Sequence, residues 1–294
     1  MLNFYEKIRQ HPDHFRQLAC KGTLFLKYSC PLESLRQDMY SKHNYFLYVL
    51  SGKKIWHATR KAWTLLPGDA VFVKKGACIV ERFFEDEFCV LVFFVPDEFV
   101  QGLLRENPVP LPAMTVDETA AASVIRLSVN PVMEVFYGSV MPYFSQAHVA
   151  ESLLELKFRE LLLNLLTDPG NRPLQAYVQC LRDGKGPNLR QIMEANYLYN
   201  LAMQDFAELC NRSLSSFKRD FVDQLGTTPG KWLTARRLEH ASQLLLTTQL
   251  SVNEVAFESG FENHTHFSRV FKDRFGLSPL LFRHQQQTLV VQGA

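Results

Sequence analysis

The chain has 294 residues, 47% of them hydrophobic and 21% charged, with a formal net charge of +2. That length predicts two domains, each able to bury a core of its own, in an ordinary globular protein. No run of about 18 apolar residues argues for a membrane span, and the early charges Glu6 and Lys7 argue against a secretory signal, so a cytoplasmic location is expected.

From about residue 20 to 100 the chain reads as short β-branched and aromatic runs broken by turns. Tyr45-Phe46-Leu47-Tyr48-Val49-Leu50, Ile55-Trp56-His57-Ala58-Thr59, Ala70-Val71-Phe72-Val73 and Phe88–Val95 are the clearest. Leu66-Pro67-Gly68-Asp69 suits a type II turn, because proline presets φ at its second position and glycine accepts φ > 0 at its third. Short strands at this spacing predict a β-barrel or sandwich. From 114 to 166 the period becomes helical, and Val149, Leu153, Leu156 and Leu163, broadened by neighbouring leucines, make a wide apolar stripe. Such a stripe serves a dimer interface or merely covers the barrel.

Breakers at Asp168-Pro169-Gly170 and Asp183–Pro187, around a short helix near Leu174–Leu181, mark a connection over 167–187. The expected division is therefore 1–166, a regulatory and dimerisation domain; 167–187, a linker; 188–286, an all-helical domain; and 287–294, a tail. From residue 186 onward there are 11 Lys and Arg against 10 Asp and Glu. Bulk charge thus lends no support to a nucleic-acid partner, and the case rests on where the charges point.

The helical part carries one pattern twice. Ser215-Ser216-Phe217-Lys218-Arg219-Asp220-Phe221, with Gly226, Pro229 and Trp232, is followed by Thr265-His266-Phe267-Ser268-Arg269-Val270-Phe271, with Gly276, Pro279 and Phe282. At about 100° per residue, Phe267, Phe271 and Phe275 share one face, while Thr265, Arg269 and Lys272 fall opposite, with His266 at the edge. In the first copy Phe217, Phe221 and Leu225 point inward, Ser215 and Arg219 outward, with Ser216 and Lys218 flanking. Both helices thus present polar and cationic groups in their N-terminal half, the part of a helix-turn-helix that enters the major groove. Arginine can bond guanine O6 and N7 in bidentate fashion, and Ser, Thr and His can donate or accept at base edges. Gly260 in the second turn and Asn211 in the first are residues that tolerate the left-handed conformation. Pro229 opens a long helix to about Thr247 that sets the spacing of the two reading heads, with Arg236 and Arg237 read as a solvated pair in preference to a phosphate contact.

Leu201–Arg283, with Ala241-x-x-Leu244-Leu245, Val255-Ala256-x-x-x-Gly260-Phe261, His266-Phe267-Ser268-Arg269-x-Phe271-Lys272 and Gly276-x-Ser278-Pro279, resembles the AraC/XylS family of transcription regulators. The resemblance implies a bacterial DNA-binding regulator, usually an activator that recruits RNA polymerase. Carried over by position, it implies base reading by Ser215, Lys218 and Arg219 and by His264, Thr265, His266 and Arg269. Ser216, Asn263 and Lys272 complete the expected DNA-binding set. Val49-Leu50-Ser51-Gly52 and Leu66-Pro67-Gly68-Asp69-x-x-Phe72-Val73 resemble the cupin-like arm of that family, and are similar to the ExsA type, whose signal is a protein partner.

The fold class expected is therefore α+β: an N-terminal cupin-like β-barrel with flanking helices and a C-terminal double helix-turn-helix. Its partners are double-stranded DNA, RNA polymerase as the family implies, a small-molecule or protein effector, and a second copy of the chain. Phe46, Tyr48, Trp56 and Phe72 are the candidate effector pocket, although aromatics in a barrel are more often core filler. A second reading is an effector-independent repressor or architectural DNA binder; a third is a cupin metalloenzyme fused to a DNA-binding domain. Metal cupins need three or four converging N/O donors, whereas His43 and His57 stand alone. Neither a G-x-S-x-G nor a phosphate-cradling glycine loop occurs, so no enzyme, metal or cofactor is expected. Six scattered cysteines without a C-x-x-C pair read as small core residues.

Overall fold

The structure, a computed structural model, describes residues 1–12, 15–29, 36–58, 61–82, 88–111, 123–183 and 189–292. It divides into two units, 1–195 and 196–294. In the first, the described strands are β1 (Leu2–Asn3), β2 (Gln17–Cys20), β3 (Thr23–Ser29), β4 (Arg36–Ser41), β5 (Asn44–Ser51) and β6 (Lys54–Ala58). They continue as β7 (Lys61–Leu65), β8 (Ala70–Val73), β9 (Gly76–Arg82), β10 (Cys89–Val95) and β11 (Val124–Leu127). One sheet runs β1-β4-β9-β6-β7 and the other β11-β8-β5-β10-β3-β2. The described helices of this unit are α1 (Phe4–Gln10), α2 (Asp97–Glu106), α3 (Pro131–Val140), α4 (Glu151–Thr167) and α5 (Arg172–Arg182), and α6 (Leu189–Asn196) crosses the division.

Alternation along β5 sorts the core into two. Successive side chains point to opposite faces, so Tyr45, Leu47 and Val49 enter a core shared with Trp56, Trp63, Leu65 and Val80 of the five-stranded sheet. Phe46 and Tyr48 face the other way, beside Phe25, Phe72 and Phe93, and are covered by Phe136 and Tyr137 of α3, Phe158 of α4 and Tyr177 of α5. The closed barrel expected above is replaced by two open sheets among the described residues. Their inner faces pack as layers, a solution that needs no pairing between the sheets' edges. At the Leu66–Asp69 turn, Gly68 has φ +87° and the Asp69 N–H donates to Leu66 O at 2.9 Å. Glycine supplies there the positive φ that the turn demands.

On α4, Leu154, Phe158, Leu161, Leu162, Leu165 and Leu166 are buried, while Leu153 and Leu156 remain 44% and 59% exposed. The segment after it was expected to connect domains. Instead α5 buries Leu174, Tyr177, Val178 and Leu181 in the helix-covered core, making it a wall of the first unit. The rest of the expected connection, 184–188, falls outside the described residues. Cys20 and Cys78 are buried and Cys89, Cys180 and Cys210 half-buried, all free thiols; Cys30 lies outside the described residues.

The second unit is helical: α7 (Met203–Leu209), α8 (Leu214–Leu225), α9 (Pro229–Thr247), α10 (Val252–Glu258), α11 (His264–Phe275) and α12 (Pro279–Gln292). The last of these continues over positions expected as a tail. Punctuation repeats along with the helices. Ser213 and Asn263 cap α8 and α11, and Gly226 and Gly276 close them at φ +67° and +76°. Thr228-Pro229 opens α9 and Ser278-Pro279 opens α12, each proline sitting where its missing N–H costs nothing. Phe267 and Phe271 are fully buried with Leu238, Ala241, Leu245, Val255 and Ala256; Phe217 and Phe221 are equally buried in the first copy.

Candidate nucleic-acid interface

The α7–α8 and α10–α11 pairs have the same hydrogen-bonded turn. The Arg212 N–H reaches back to Ala207 O at 2.9 Å and the Phe261 N–H to Ala256 O at 3.0 Å, closures made possible by Asn211 at φ +54° and Gly260 at φ +83°. Both turns thus form as the sequence predicts. They are not identical, however: Asn211 lies two residues before its helix cap and Gly260 three, so Glu262 is one residue extra in the second turn.

Ser215, Lys218 and Arg219 on α8 and His264, Thr265, His266, Arg269 and Lys272 on α11 are all exposed, and Ser216 is half-buried. With Phe217, Phe221, Phe267 and Phe271 at 0% exposure, the polar and cationic groups occupy the faces turned away from each core. Asn263 is placed differently from the rest. Its side-chain oxygen accepts the His266 N–H at 2.9 Å, so it is occupied as a helix cap, a bond worth about 1 kcal/mol. Ser213 does the same for Ser216 at 3.2 Å. Thr265, His266 and Arg269 border an open cleft of ≈ 570 Å³ that also reaches Asn200, Thr234 and Arg237.

The heads differ in electrostatics. Arg219 Nε donates to Asp220 Oδ1 at 3.2 Å, and Arg212 pairs with the other oxygen of the same carboxylate. The corresponding residue in α11 is the uncharged Val270. Arg269 Nη2 lies 3.4 Å from His266 Nδ1, and His264 Nε2 3.4 Å from Ser268 Oγ. The first head therefore presents its arginine already paired with an anion, and the second presents Arg269 beside a histidine. In the sequence Asp220 is only one of several positions at which the two copies differ.

Arg236 and Arg237 are not the solvated pair expected from the sequence. Arg236 Nη1 bonds Glu239 Oε2 at 2.5 Å and its guanidinium lies over the Tyr197 ring. Arg237 turns inward, and burial holds its basicity down at about 10. The helix period separates these two neighbours: Arg237 falls in the four-residue series Pro229, Leu233, Ala241 and Leu245, whose other members are all buried, and the fold decides which carbonyls receive it.

The candidate effector residues do not line one pocket. Phe46 and Phe72 are 4.9 Å apart and Tyr48 stacks on Tyr137 at 3.8 Å, all on the helix-covered face, whereas Trp56 lies between the sheets. The reason is the alternation of β5, which the barrel reading did not resolve. The cavity beside Trp56, bordered by Phe4, Tyr28, Lys54 and Phe88, holds ≈ 20 Å³, room for about one water. Small-molecule pockets need about 300–1,000 Å³. His43 packs edge-on against Tyr5, and His57 Nε2 lies 2.7 Å from Glu81 Oε2. Among the described residues no three His, Cys, Asp or Glu side chains converge as a metal site, and no helix is long and apolar enough to cross a membrane.

Residues 44–177 match the family described as the ExsA N-terminal regulatory domain, and residues 206–285 match a helix-turn-helix domain family. Over 235 residues the chain is 26% identical to the virulence regulon transcriptional activator VirF of Yersinia enterocolitica, spanning 79% of this chain and 86% of that one. It is 25% identical over 233 residues to the HTH-type transcriptional regulator ExsA of Pseudomonas aeruginosa, spanning 79% and 82%. The structure of ToxT from Vibrio cholerae O395 superposes with a TM-score of 0.35 at 13% identity, over 90% of this chain and 98% of that chain.

Proposed function

Because the chain belongs to the AraC/XylS family of transcriptional regulators, we propose that α8 and α11 are its two base-reading helices. On this reading they enter successive major grooves on one side of a promoter. Ser215, Ser216, Lys218 and Arg219 serve the first groove, and His264, Thr265, His266, Arg269 and Lys272 the second, with Asn263 fixing the helix start. One observation carries the reading: two capped helices bury matching Phe pairs and expose Arg219 and Arg269 at equivalent positions. In a gel shift at moderate salt, the full chain should retard its own upstream DNA and leave random DNA of equal length free. Equal retardation of both would overturn specific recognition.

The rest of the proposal concerns the first unit and its partners. The relative VirF of Yersinia enterocolitica is a transcriptional activator, which supports activation through contact with RNA polymerase in the cytoplasm. The two-sheet arm is taken as cupin-like and regulatory. The match of residues 44–177 to the ExsA N-terminal regulatory domain supports a protein partner as the signal, and the cavity beside Trp56 has room for about one water. The exposed Leu153 and Leu156 on α4 support self-association through Val149–Leu166, since exposed apolar side chains on a helix gain by mutual burial. Sedimentation should then find a dimer at micromolar concentration that Leu156→Glu dissociates. A wild-type chain that stays monomeric at high micromolar concentration rules this interface out.

A further inference from the structure

We propose that Arg237 is a positioning residue that locks the register between the two base-reading helices, and so sets the spacing of the half-sites this protein accepts. The inference rests on the two-headed reading above, and it starts from a place where three separate parts of the second unit meet. Arg237 belongs to the helix α9 that joins the heads. Its Nε donates to Tyr197 O at 2.7 Å and its Nη2 to Tyr199 O at 2.8 Å. Tyr197–Tyr199 lead into α7, the start of the first head. On the other side stands Gly260, the turn glycine of the second head. A Cβ built there would lie 2.8 Å from Leu198 O and 2.9 Å from Arg237 Nε. The second head's turn thus closes directly on the first head's leader, with the guanidinium between them.

Arginine suits this task for a geometric reason. Its planar fork reaches two carbonyls two residues apart, which a lysine ammonium on a flexible stem cannot hold in fixed directions. The same stretch of α9 grips Tyr197 twice more, through Arg236 over its ring at 5.5 Å and His240 edge-on at 6.0 Å. A helix alone would leave each head free to rock about its end. Tying the first head's leader to the second head's turn removes that freedom, so half-site spacing becomes part of what is recognised.

The test is spacing tolerance on DNA. A two-part site is selected from random DNA by the full wild-type chain, then rebuilt with one base pair inserted or deleted between the halves. Each such step moves a groove by about 3.4 Å and about 35°. The wild type should lose on the order of tenfold in affinity, whereas Arg237→Met should lose less than about threefold while binding isolated halves as the wild type does. Arg237→Lys, which keeps charge and stem, carries the same comparison should Arg237→Met fail to fold. A spacing penalty as steep in the folded variant as in the wild type overturns the proposal, leaving Arg237 a purely structural group. A wild type that enriches no two-part site defeats the two-headed reading itself.

Discussion

Phe271→Ala should destabilise the second head by about 3–5 kcal/mol, as buried aromatic truncations do. Phe271 is fully buried and is the hub of an aromatic cluster, with ring centroids 5.5 Å from Phe267, 4.5 Å from Phe275 and 5.4 Å from Phe282. Deleting the ring removes apolar burial and leaves three neighbours facing a void that the surrounding helices can only partly close. Native domains hold about 5–15 kcal/mol in all, so the loss consumes a large share. For a unit of this size the melting temperature should fall by at least about 12 °C, followed by circular dichroism, and specific DNA binding should go with it. A drop of only a few degrees would show that α10, α11 and α12 do not form one cooperative core.

Arg269→Ala should act on recognition and leave the fold intact. The side chain is exposed on the face opposite Phe267 and Phe271, so no core is disturbed. A bidentate contact to guanine carries about 1–3 kcal/mol of discrimination. Binding should therefore weaken about 5–150-fold on the preferred site, and the preference should vanish at one base pair only. Equal weakening on every sequence, with the salt slope reduced by about one, would make Arg269 a phosphate contact. Arg219→Ala should cost less, because Arg219 must give up Asp220 before it reaches DNA, and exposed pairs of that kind are worth about 0–1 kcal/mol. The two heads are thus expected to contribute unequally, with the second dominant.

The pair of helix-turn-helix units is legible in the sequence because its causes are local. Phenylalanines at four-residue spacing define a buried face, and Gly226, Gly276, Pro229 and Pro279 mark where helices stop and start. Each of these acts within a turn or two of its own position. The same locality explains why Asn211 could be read as a turn residue without glycine, and why Arg219 and Arg269 could be placed on the outer face.

Elsewhere the deciding contacts join residues far apart in the chain. Whether the described strands close into a barrel or lie as two open sheets depends on which edges pair, and no strand carries that information alone. Trp56 and Phe46 read alike as aromatics in neighbouring strands, yet the stacking of two sheets sends them to different cores. Leu174–Leu181 looked like part of a connection because its breakers are local, while the core that holds it is built from β-strands a hundred residues earlier. What the amino-acid order alone determined is the pair of helix-turn-helix units and their outward cations, since helix period, caps and turns operate over a few residues. Helix period also puts Arg237 on the buried face of α9, in step with Leu233 and Ala241, but only the tertiary structure decided that it meets Tyr197, Tyr199 and the Gly260 turn. Its partner carbonyls lie 40 and 38 residues away in the chain, a separation over which helix period, caps and turns carry no information.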